Sequence, residues 1–186
     1  MTTTASVSLS NNLVYSVTET LGGDTNRYND SLGYSRTLVY GTGEPPVTSP
    51  SQANVFAKTV FTVTAGGSTD LNFQTVPKQS QGNTFNVSLD KLKGFVFSND
   101  ANGDGYDITF FAPPTSGCTG LFNGESGNLK VPSLGTYQYN DIWGNTAINS
   151  NNAVLRFNNA SVADIQITAL IIGVNNSLTE ASIPTP

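Results

Sequence analysis

The sequence predicts an all-β protein, a single-domain β-sandwich of jelly-roll type with an extended C-terminal tail. Three observations predict it. Apolar residues recur at every second position in segment after segment; no window sustains helical i, i+3, i+4 spacing; and Gly, Pro, Asn and Ser clusters punctuate the alternating runs. Charged residues make up only 11% of the 186, against about 25% in an average globular chain. Asn, Ser and Thr fill that gap, with 21, 19 and 23 copies. This excludes a highly charged disordered chain, and it excludes a helical bundle, whose outer faces need Ala, Leu, Glu and Lys. At least eight strands are expected, in a domain spanning residues 1–174 followed by a tail at 175–186.

The elements follow in order. Val7 and Leu9 alternate with serines, and Leu13, Tyr15 and Val17 with polar residues, which reads as an N-terminal strand or arm. Ser35–Tyr40 is a short strand candidate. In Asn54–Thr64, Val55, Ala57, Thr59, Phe61 and Val63 share one face, with Phe56, Lys58, Val60 and Thr62 on the other. Leu71 and Phe73 come after the turn residues Ala65–Ser68. Leu89–Lys93 is the one short helical candidate, at most a turn. Strands are then expected in Leu92–Ser98, Tyr106–Ala112, Leu134–Ile142, Ala153–Phe157 and from Ile165 onward, where Leu170, Ile172 and Val174 make both faces apolar. The expected core is Phe61, Phe95, Phe97, Ile108, Phe110, Leu155, Phe157, Ile165, Ile167 and Ile171. No fixed-period repeat is present, against a propeller or β-helix.

Several function classes are disfavoured. The net charge is −5, and the eight basic residues form no cluster larger than Lys91 and Lys93, so no nucleic-acid groove is expected. No apolar run approaches the length of a membrane span, and residues 1–10 lack the charged and apolar regions of a secretory signal. The chain has no histidine, which removes Ser-His-Asp and Cys-His sites. Its four Glu and nine Asp lie mostly in Gly/Asn-rich turns, where no glycosidase-type pair is apparent. Cys118 stands alone in a Pro/Gly-rich loop and reads as inert. No enzyme and no cofactor are expected. The four Asn-X-Ser/Thr triplets at Asn29, Asn86, Asn159 and Asn175 are what chance provides in so Asn-rich a chain.

Three features invite a site reading. Asp100, Asn102 and Asp104, with Gly105 next, match the first half of an EF-hand-type calcium loop, but position twelve is Phe111 rather than Glu. A hairpin turn is preferred over a calcium site there. Tyr137 and Tyr139 share one strand face, consistent with sheet packing or with an exposed aromatic stripe, and Trp143 reads as a packing residue before an interface residue. Met1–Ser10, Gly41–Gln52 with Pro45 and Pro46, and Asn175–Pro186 with Ile183 are poor in apolar groups. Contacts with neighbouring subunits or a shell are expected to order them. Pro45, Pro46, Tyr137, Tyr139, Trp143 and Ile183 are therefore the interface candidates.

The order of segments resembles a known family. An early Leu13-Val-Tyr-Ser-Val17 strand leads through Tyr40–Gly43 and Ser51–Asn54 to Leu89–Asn99. Leu129–Pro132, an aromatic stretch ending at Trp143, Ala153–Asn159 and the closing strand Asp164–Gly173 then follow. Together they resemble small all-β virion proteins encoded in the head-gene region of tailed bacteriophages, over about Leu13 to Val174. The turn Pro132-Ser-Leu-Gly135 replaces the Pro-Gly-Gly such relatives tend to have.

The resemblance implies a capsid decoration, or cement, protein made in the host cytoplasm and carried on the virion surface. Its partners would be the major capsid protein and copies of itself. The residues leave open a small single-jelly-roll major capsid protein, and a carbohydrate- or receptor-binding module of a tail or fibre. A polysaccharide depolymerase would need paired acids that the sequence does not reveal.

Overall fold

The structure is a computed structural model, which describes residues 4–21, 24–41, 53, 55–80, 83–122, 127–141 and 146–177. The chain divides into two compact units, Met1–Thr42 and Gly43–Pro186. In the first, β1 (Thr4–Leu21) and β2 (Asp24–Gly41) pair antiparallel in unbroken register from Thr4 opposite Gly41 to Leu21 opposite Asp24. Residues 4–10, read from the sequence as part of an N-terminal strand or arm, open an 18-residue strand, and Ser35–Tyr40 belongs to an equally long one.

The second unit holds β3 (Val55–Val63), β4 (Ser68–Asn72), β5 (Val76–Ser80), β6 (Asn83–Val87), β7 (Lys91–Asn99), β8 (Ile108–Phe111), β9 (Leu129–Val131), β10 (Thr136–Asn140), β11 (Thr146–Ala147), β12 (Val154–Asn159) and β13 (Ile165–Val174). One sheet runs β10-β7-β13-β3, with β11 also on β7, and the other β4-β12-β8-β9. With β5, β6 and β11 set aside, the remaining eight strands in chain order give sheets 1-8-3-6 and 2-7-4-5. That is the order of a jelly roll. It arises when one long antiparallel ribbon, pairing β3 with β13, β4 with β12, β7 with β10 and β8 with β9, is wound over on itself. The winding brings β13 beside β7 and β12 beside β8.

The period-two pattern decides which residues meet inside. Phe95, Phe97, Ile165, Ile167 and Ile171 of one sheet and Ile108, Phe110, Leu155 and Phe157 of the other are buried, and Phe61 packs half-buried against them. Rings from the two layers interlock edge to face, with Phe97 and Phe157 centroids 4.9 Å apart and Phe61 and Phe157 5.1 Å apart.

Two expectations are corrected. Leu89–Lys93 forms no helical turn; Lys91–Lys93 open β7, where pairing with β13 outweighs a weak local helical preference. Among the described residues the helical content is a single 3-10 turn, Thr119–Phe122. Nor do residues 100–107 form a hairpin turn, because β7 and β8 lie in different sheets and the loop crosses between them. Gly105 within it has φ +77°.

Next to Gly173 the ladder is irregular, since Ile172 faces Gly94 while Gly173 faces Leu92, leaving Lys93 as the extra residue of a bulge. A Cβ at Gly173 would lie 2.7 Å from both Leu89 Cδ2 and the Lys91 carbonyl, so only glycine lets the strands approach there.

Candidate interaction surface

Because inward and outward positions alternate, each sheet presents an outer face whose composition is free of the core. On the β10-β7-β13-β3 sheet the outward residues include Val60, Val96 and Leu170, with Phe56 half-buried and Ile172 buried beside them. Val60 and Leu170 are 48% and 45% exposed. Lys58 and the polar Gln138, Ser98 and Thr136 complete the neighbouring rows. On the β4-β12-β8-β9 sheet the centre is instead an ion pair. Arg156 donates from Nε and Nη2 to the two Asp70 oxygens at 2.7 and 2.8 Å, flanked by Asn158 and Thr109. At the margin of this sheet Lys130 pairs with Asp107, and that contact holds the Asp107 carboxyl below the usual carboxylate range.

Tyr137 and Tyr139 lie on β10, opposite Phe97 and Phe95. Both point to the inner face and are half-buried. Tyr139 stacks on Phe95 at 5.3 Å, and Tyr137 meets Phe110 edge to face at 5.0 Å. The Tyr139 hydroxyl lies 3.1 Å from Thr146 Oγ1, and burial raises both phenol pKa values. Of the two readings the sequence left open, sheet packing is the one this geometry displays. Pro45, Pro46, Trp143 and Ile183 lie outside the described residues.

Asp100, Asn102 and Asp104 sit in the inter-sheet crossover. The Asp100 carboxylate accepts from Ser98 Oγ at 3.0 Å and Thr168 Oγ1 at 2.7 Å. Among the described residues, no three His, Cys, Asp or Glu side chains gather as a metal site would require. Cys118 is fully buried, and desolvation pushes its thiol up to about 12, which keeps it a neutral packing group. Cavities among the described residues include one of about 240 Å³ bordered by Gln74, Phe85, Ser88 and Asn175, and one of about 150 Å³ between Phe61, Asp70 and Pro77.

Sequence reasoning missed the residues that join the two sheets. Asn99 ends β7 and is fully buried; its Nδ2 donates to the carbonyls of Tyr106 at 2.7 Å and Val131 at 3.2 Å, and Oδ1 accepts from Ala101 N–H. Asn159 ends β12 in the opposite sheet and mirrors it. Its Nδ2 donates to the carbonyls of Val63 at 2.9 Å and Ala163 at 2.8 Å, while Oδ1 accepts from Ser161 N–H and Oγ. Each amide thus reaches across to a backbone carbonyl of the other layer. Asn175, also buried, donates to Ser88 Oγ at 3.1 Å and accepts from Ser177 N–H, so the first residues of the expected tail are tied to the roll.

No protein-family model matches this chain, and no curated protein does. Among solved structures, the crystal structure of the Yersinia pseudotuberculosis-derived mitogen is similar at a TM-score of 0.31 and 10% identity. That alignment covers 71% of this chain and 96% of the mitogen. So faint a likeness carries no argument about what this chain does. The strand order itself defines the class: the Gly43–Pro186 unit is an antiparallel jelly roll.

Proposed function

We propose that this chain is a structural virion protein, a capsid decoration protein that binds the lattice of a major capsid protein and stabilises the head. The observation that supports the reading is the outward patch of Val60, Val96 and Leu170 on one sheet, whereas the more exposed Leu134 and Val162 lie outside the strands. Such a patch gains free energy when a partner covers it, at roughly 25 cal/mol per Å² of apolar area. Binding only the assembled shell then stabilises the shell by mass action. The test is particle binding by purified protein. The wild-type chain is expected to co-sediment with heads at a fixed stoichiometry, and Leu170→Lys to lose at least about tenfold in affinity. Equal binding by the variant, or no binding by either, removes the reading.

The strand order favours a second reading, in which the roll builds the shell as a small major capsid protein, since jelly rolls recur in viral capsids. Closed shells formed by the purified chain alone would decide for it. A third class, glycan binding, requires carbohydrate-dependent retention on a glycan array.

A further inference from the structure

The roll carries a polar cavity that neither its core nor its outer faces explain. At one end the segments that follow β4, precede β7 and follow β13 meet. There the Leu89 N–H donates to the Phe73 carbonyl at 2.9 Å, and the Asp90 N–H to the Val174 carbonyl at 2.7 Å. Between these segments and β6 lies the cavity of about 240 Å³. Gln74, Phe85, Asn86, Ser88, Asn175 and Ser177 border it, and among the described residues no charged side chain does. Carboxamides and hydroxyls thus share a wall with one aromatic side chain. The wall is held from behind: Asn175 Nδ2 donates to Ser88 Oγ at 3.1 Å, Asn175 Oδ1 accepts from the Ser177 N–H at 2.7 Å, and the Gln74 N–H donates to Asn72 Oδ1 at 2.9 Å. The carboxamides of half-buried Gln74 and exposed Asn86 stay uncommitted among the described residues.

That composition selects a class of ligand. Carboxamides and hydroxyls both donate and accept, so the wall matches a molecule whose own groups do both. An ion would give up its hydration with no counter-charge in the wall, and an apolar molecule would leave the amides unpaired. Phe85 adds an apolar surface on which the C–H face of a ring can rest. We infer that the cavity is a binding site for one neutral pyranose sugar. Its size agrees. A cavity of about 150 Å³ holds benzene, so about 240 Å³ takes roughly ten heavy atoms, nearly a whole hexose. A ligand of that size, held by a few neutral hydrogen bonds, binds in the millimolar range. Leu170, on which the proposed binding to a shell depends, is no part of this wall.

The test is a titration of the full chain with the methyl glycosides of glucose, galactose, mannose and N-acetylglucosamine, followed through side-chain amide NMR signals. At least one glycoside is expected to bind with a millimolar Kd and to shift the Gln74 and Asn86 amide signals. Gln74→Leu and Asn86→Ala should each weaken that binding by about threefold or more, with thermal unfolding close to that of the wild type. Phe85→Leu, which keeps apolar bulk and removes the ring, should weaken it by a similar factor. The uronic acid relative of the bound sugar should bind at least about fivefold more weakly. Leu170→Lys should leave sugar binding unchanged, so its failure and the failure of shell binding are distinguishable. No binding by any of these glycosides at tens of millimolar, equal binding of the uronic acid, or binding untouched by all three wall substitutions would each overturn the inference.

Discussion

The outer faces of the two sheets are built on the same alternation and differ in what they display. One centres on the neighbours Val96 and Leu170, with Val60 nearby; the other centres on the Asp70–Arg156 pair. The inner faces are equally apolar, so the core demands neither arrangement. A β-sandwich needs one apolar face per sheet, and polar residues serve its solvent face. The apolar outward residues are thus surplus to folding, and the ion-paired face is the ordinary solvated kind.

The largest expected effect tests whether the two faces share one core. Phe110→Ala should cost about 3–5 kcal/mol, since Phe110 touches rings from both sheets. Urea unfolding followed by two probes should still show one coincident transition. Separate transitions would mean that the sheets fold apart.

Next come the two asparagines. Asn99→Ala and Asn159→Ala should each cost about 2–3 kcal/mol, because each leaves a buried carbonyl of the other sheet without its donor. The exposed Asn102→Ala is the control, expected within about 0.5 kcal/mol. A large gap between the two clamps would show that one sheet depends on the other more than the reverse.

A smaller effect separates the outer faces directly. Leu170→Lys and its counterpart on the other sheet, Asn158→Lys, should both alter stability by less than about 1 kcal/mol. Only the first should impair particle binding. Equal loss from both would erase the distinction drawn between the faces.

The smallest effect belongs to the ion-paired side. Asp107 is held below its ordinary pKa by the hydrogen bond from Lys130, so its stabilisation is present above the usual carboxylate range and lost as pH falls through the depressed value. The acid limb of the stability curve should flatten slightly in Asp107→Asn, and no change in the limb would show the pair to be inert.

Period two alone made β3, β7, β12 and β13 legible, and with them the core, because burying one face of a strand forces that alternation. Pairing partners were not legible. Nothing local in residues 100–107 distinguishes a hairpin from a crossover, since Asn and Gly serve both, and the choice depends on whether β8 finds β7 or β12. The clamps were hidden for a different reason. Asn99 and Asn159 are two of 21 asparagines, and only burial marks them out. The outward Val60 stood in the sequence on the second face of its strand, but its exposure depends on what the neighbouring strands place around it.

The first strand of the roll pairs with its last, with Val55 opposite Gly173. The chain therefore enters and leaves at the same end of a single ladder. A pull applied through those two ends loads the Val55–Gly173 rung first and then each rung in turn toward Val63 and Ile165, so every backbone bond bears the force alone. A load spread over the sheet faces is shared by all the rungs at once. Tethered by its ends the roll unzips, and gripped by its faces it resists as a plate.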